Sequence, residues 1–92
     1  MNLKQALKNL DGSAIKDEQG KEVAVSNLIK RALLEENGTD GEHKFNCYKV
    51  AVKIEKDEPL EAEDIVLIQK CVDKMYNALV VGNVREALKI NN

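Results

Sequence analysis

The sequence predicts a mainly α protein: one small domain, residues 1–92, of four to five helices with a short N-terminal β-hairpin. Three observations lead there. Apolar residues recur at helical spacing along most of the chain, and strict alternation is confined to one stretch. The balance of 43% hydrophobic and 33% charged residues suits a packed core and argues against disorder. The one proline, Pro59, falls between two periodic segments, where it can end one helix without interrupting the next.

In chain order, Leu3, Ala6, Leu7 and Leu10 share one helical face, so the first ten residues read as a helix of two turns or as a frayed terminus. Residues 13–25 follow, with Ile15, Val23 and Val25 flanking the polar run Lys16–Glu22. Gly20 can take a positive φ there, and the segment reads as a small β-hairpin. Ser26 is then the expected cap of a helix near 27–36, whose stripe is Leu28, Ile29, Ala32 and Leu33. No internal repeat is apparent.

Residues 45–55 are ambiguous. Tyr48, Val50, Val52 and Ile54 alternate as a strand would, whereas Phe45, Tyr48, Ala51 and Val52 share a helical face. After Pro59 the pattern is plain. Ile65, Ile68, Val72, Met75 and Leu79 line one side of a helix near 62–79, with Glu61, Glu63 and Asp64 at its positive end. The run Ala78–Val81 reads as the end of that helix turning into a buried connector. Asn83, at capping-box distance from Glu86, opens a short helix near 84–89.

Two stretches, "LDGSAIKDEQGKEVAVSNLIKRALLEE" and "GEHKFNCYKVAVKIEKDEPLEAEDIVLIQKCVDKMYNALVVGNVREAL", resemble small proteins encoded by tailed phages and prophages. The likeness rests on the D-G-x-x-I-x-D-x-x-G turn, the alanine-leucine-leucine helix end, the "AEDI-x-LI" helix and the "LVVG" joint, and spans roughly residues 10–88. It implies a helix for residues 42–56 and a setting in the cytoplasm of a bacterial host. It implies no catalytic residue. Where that pattern has Ser or Thr ahead of "AEDI", this chain has Glu61, whose carboxylate can accept from the same amides.

Few residues point to chemistry. Three aromatics, Phe45, Tyr48 and Tyr76, give little to stack nucleic-acid bases on, and a net charge of −2 supplies no general attraction for phosphate. Asp17, Glu18 and Glu22 do not match a calcium loop. Cys47 and Cys71 are not a CxxC pair, lie among apolar neighbours, and read as buried thiols that one histidine, His43, does not complete into a usual zinc set. No catalytic, cofactor or metal residue is expected, and no stretch is long and apolar enough to span a membrane.

The expected function is therefore non-enzymatic binding of another protein, phage or host, as an assembly accessory, virion component or modulator of a host protein. Self-association into a homodimer is a variant. Val80, Val81, Val84 and Leu88 are the candidate docking patch, with core packing as the competing reading. The alternative is a DNA-associated regulator using Lys49, Lys53 and Lys56 at i, i+4, i+7.

Overall fold

The computed structural model describes residues 3–37 and 40–89. Four helices follow an irregular N-terminal segment: α1 (Val25–Leu34), α2 (Gly41–Glu55), α3 (Ala62–Met75) and α4 (Ala78–Leu88). α1 packs against all three others, and α3 also meets α2 and α4. Val25, Ile29 and Leu33 of α1 meet Cys47, Ile54, Ile68, Val72 and Val84 in a single aliphatic core. Truncating one of the fully buried members, Ile29 or Ile68, costs about 2–5 kcal/mol.

Residues 45–55 are helical, but the face they bury is Cys47, Val50, Ala51 and Ile54 rather than the expected Phe45, Tyr48, Ala51 and Val52, and Phe45 and Tyr48 stand exposed. Asp40 caps this helix by accepting from the Glu42 N–H at 2.9 Å. Its other end is a Schellman turn. Asp57 takes φ 56°, its N–H donates to the Ile54 carbonyl, and the Glu58 N–H donates to the Lys53 carbonyl. At the start of α3, Asp64 Oδ2 accepts from the Glu61 N–H at 2.9 Å, the returning half of a capping box.

Four expectations need correcting. No two-turn helix forms over residues 3–10, and Leu10 stands 97% exposed. Two turns pair too few amides to be stable alone, and here Leu7 finds its backbone partners further along the chain. Ser26 lies inside α1, which begins at Val25 after Ala24; the Ser26 N–H donates to the Leu3 carbonyl.

The expected hairpin is also absent as a sheet; residues 6–24 make only three isolated antiparallel bridges. The Leu7 N–H donates to Val23, the Val23 N–H to Ile15, and the Ile15 N–H to Leu7, at 2.7, 3.2 and 2.8 Å. Each residue divides its amide and carbonyl between two different arms, so the arms close a triangle and no ladder can extend. The arms are joined by the same turn used twice. Gly12 and Gly20, at φ 90° and 80°, donate back to Asn9 and Asp17 respectively. An eight-residue repeat, unseen in the sequence, thus carries Leu7, Ile15 and Val23 onto the core.

The joint between α3 and α4 also differs from expectation. α3 stops at Met75, Tyr76 is extended at ψ 163°, and Asn77 caps a new helix by accepting from the Val80 N–H. Ala78–Val81 is therefore the first turn of α4, and Gly82 lies within that helix. Tyr76 turns inward at the break, its hydroxyl donating to the Leu28 carbonyl at 3.0 Å. Asn83 opens no helix. Its side chain reaches the N-terminal segment, with Oδ1 accepting from the Lys8 N–H and Nδ2 donating to the Lys8 carbonyl.

Candidate functional site

α2 carries two distinct features on opposite sides. Its inner side packs through Cys47, Val50, Ala51 and Ile54; its outer side presents Phe45, Tyr48 and Lys49. Phe45 and Tyr48, three residues apart, lie nearly parallel with ring centroids 6.4 Å apart. They are 58% and 56% exposed. The Lys49 ammonium sits 5.4 Å from the Phe45 ring centroid, within reach of its electron-rich face. Two of the chain's three aromatic rings thus face solvent together, and the core is built of aliphatic side chains and two thiols.

On the inner side, four potential ligand atoms converge. His43 and Cys47 are one helical turn apart on α2, Cys71 projects from α3, and Glu36 follows the end of α1. Cys47 Sγ lies 3.8 Å from Cys71 Sγ and 3.9 Å from His43 Nε2. Glu36 Oε2 lies 3.4 Å from Cys71 Sγ and 3.6 Å from His43 Nε2, with Lys74 Nζ also at 3.6 Å.

Burial pushes the Cys71 thiol up to about 12, with the neighbouring Cys47 and Glu36 adding to the rise. Cys47 is raised too, mainly by burial. Burial alone would raise Glu36, but the Cys71 hydrogen bond, Lys74 and His43 together hold its carboxyl below the ordinary value. As arranged here the thiols are protonated and poor nucleophiles at neutral pH. The ligand atoms of His43, Cys47 and Cys71 all lie within 4.8 Å of one another, so a cation able to take thiolate and imidazole could be held by these three side chains, with the Glu36 carboxylate beside them.

Between α2 and α3 runs a groove of about 490 Å³. His43, Asn46, Lys49, Glu63 and Lys70 are among its lining residues, but neither thiol nor Glu36 reaches it. His43 therefore touches two environments, the groove and the thiol cluster, which do not merge into one cavity.

The structure scatters the residues singled out from sequence. Val84 and Leu88 are buried, at 1% and 4% exposure, and belong to the core; Val80 and Val81 are half-buried against it. Lys53 is paired with Asp64 at 2.7 Å, Lys49 lies over Phe45, and Lys56 caps the end of α2. The sequence reading missed the convergence of Glu36, His43, Cys47 and Cys71. Its only local trace was His43-x-x-x-Cys47, one turn of helix, and even that needed the helix to be settled first.

No protein-family model, curated protein or solved structure matches the chain. No helix among the described residues is long and apolar enough to cross a membrane.

Proposed function

We propose that the protein is a non-enzymatic protein-binding module whose docking surface is the outer face of α2, centred on Phe45 and Tyr48. The observation that carries this reading is the exposed, stacked aromatic pair in a chain with so few rings. Large rigid rings supply contact area at little entropic cost and anchor most protein interfaces. Lys44 and Lys49 flank the pair and favour an acidic rim on the partner. The patch replaces the Val80–Leu88 surface, whose central members contribute to the core instead. In the setting that the tailed-phage likeness suggests, the partner is a phage or host protein in the bacterial cytoplasm.

The test compares the wild-type chain with a Phe45→Ser/Tyr48→Ser double variant, each immobilised and challenged with lysate of the producing cell. A partner retained by the wild type and lost by the variant, at unchanged thermal stability, supports the assignment. Retention by both overturns it. Sedimentation velocity of the two chains reports whether the partner is a second copy.

Duplex binding has less support. Lys53 is already neutralised by Asp64, and Glu61, Glu63 and Asp64 line the same groove as Lys49 and Lys53. Titrating random duplex at rising salt reads this alternative directly, since phosphate contacts weaken steeply with salt.

A further inference from the structure

We propose that Glu36, His43, Cys47 and Cys71 form a structural zinc site that ties the end of α1 to α2 and α3. The site is defined by the positions of its side chains and is separate from the aromatic face of α2. Zinc takes thiolate sulfur at about 2.3 Å, imidazole nitrogen at about 2.05 Å and carboxylate oxygen at about 2.0 Å, in a tetrahedron. Those lengths require ligand atoms about 3.8 Å apart for two sulfurs, about 3.5 Å for sulfur with nitrogen or oxygen, and about 3.3 Å for nitrogen with oxygen. The four separations here, taken round the ring, are 3.8 Å for Cys47 with Cys71, 3.4 Å for Cys71 with Glu36, 3.6 Å for Glu36 with His43 and 3.9 Å for His43 with Cys47. The cross-distance from His43 to Cys71 is also within 4.8 Å. These four edges lie within roughly 0.4 Å of the tetrahedral values, whereas Glu36 stands outside the mutually close trio of His43, Cys47 and Cys71, so its carboxylate must swing toward Cys47 to complete the tetrahedron.

Packing alone does not account for the group. Two buried thiols need no imidazole or carboxylate beside them, yet Nε2 of His43 and Oε2 of Glu36 both lie against sulfur. One oxygen of Glu36 meets a thiol, an imidazole and an ammonium at once. The donor set selects the metal class. Thiolate with imidazole suits zinc and its borderline neighbours and disfavours magnesium and calcium, which want oxygen.

Charge is consistent as well. On binding, the dication replaces the protons of Cys47 and Cys71, which leave to solvent. His43 donates its Nε2 lone pair, and Glu36 is already a carboxylate. Three anionic ligands around a dication leave one negative charge, and Lys74 stands beside Glu36 to balance it. With the Glu36 carboxylate swung in, all four positions would be filled by protein, the arrangement of structural rather than catalytic zinc. The thiols come from different helices, so the site exists only in the folded chain and would stabilise that state on binding.

The test uses the full, untagged, reduced and metal-stripped chain, titrated with Co²⁺ as a spectroscopic probe and then with Zn²⁺. Expected are one equivalent of cobalt with the intense visible bands of a tetrahedral site and thiolate-to-cobalt charge transfer, displaced by one equivalent of zinc with a rise in Tm. Cys71→Ser should halve the charge-transfer intensity and weaken binding by more than the ~10–100-fold that outer-shell partners cost. Glu36→Gln should weaken binding at least ~10-fold while keeping both thiolate bands. His43→Ala, at a half-buried rim position, provides a ligand deletion that spares the core, and it should lose the tetrahedral spectrum. Absence of cobalt bands in the reduced chain overturns the proposal, as does unchanged affinity in Glu36→Gln or His43→Ala. A chain that ignores both metals but joins Cys47 to Cys71 under mild oxidant has a redox pair here and no zinc site.

Discussion

The carboxamide of Asn83 pairs with the backbone of Lys8 in both directions, Oδ1 accepting from its N–H at 2.8 Å and Nδ2 donating to its carbonyl at 3.0 Å. One side chain of α4 thus supplies what a neighbouring strand would have supplied to the N-terminal triangle. Nδ2 also donates to the Leu79 carbonyl, which holds the amide in place.

Asn83→Asp should therefore be more disruptive than its size suggests. The new carboxylate cannot donate, and it meets two carbonyl oxygens where Nδ2 stood. We expect a loss of about 1–2 kcal/mol, read from the urea midpoint, with protection of the Lys8 amide lost in hydrogen exchange. Asn83→Ala should weaken that protection as well.

Val84 and Val80 give opposite outcomes on one helix. Val84 is 1% exposed and packed in the core, so Val84→Asp strands a charge among aliphatic groups and should leave the chain unfolded by circular dichroism. Val80, half-buried against the same core, can turn a carboxylate toward water. Val80→Asp should fold, at a cost of about 1–3 kcal/mol on the urea curve.

Asp64 makes stability depend on pH. Burial would raise its carboxyl, but the Glu61 N–H and the Lys53 ammonium outweigh that and hold it below the ordinary value. A carboxyl lowered by folding stabilises the native state above its unfolded value, near pH 4, and the contribution is lost as pH falls through the lower native value. Stability curves should therefore show an acid-side decline that is shallower in Asp64→Asn. That variant keeps an oxygen to accept from Glu61 but loses the charge that attracts Lys53.

The two thiols should resist alkylation in the reduced, metal-free chain. Both are at most 2% exposed, so iodoacetamide at neutral pH should label them only as fast as the chain opens. Mass spectrometry over a urea series should show labelling of Cys47 and Cys71 rising together at the unfolding transition.

Helices α1 and α3 were legible because local rules place them. The carboxylates at the start of α3, the turn at Gly20 and the apolar stripes of α1 and α3 each act within a few residues, and the structure keeps them close to where local patterns put them. The N-terminal segment misled because its helical spacing was accidental. Leu7 lies inward for the sake of Ile15 and Val23, eight and sixteen positions further on, and no local window spans that arrangement. The boundary between α3 and α4 misled for a related reason. "YNALVV" continues an apolar run, and only the Asn77 cap and the inward turn of Tyr76 onto Leu28 break it.

The sequence by itself determined a helical, aliphatic-cored chain with little room for chemistry in any one stretch, since composition and spacing set which faces must be covered. Tertiary packing alone decided which of those faces meet. It buried Val84 and Leu88, left Phe45 and Tyr48 outside, and gathered Glu36, His43, Cys47 and Cys71 from three parts of the chain into one cluster. Such a convergence depends on how helices cross, which is fixed by the sum of side-chain contacts across the whole core and has no local signature to read.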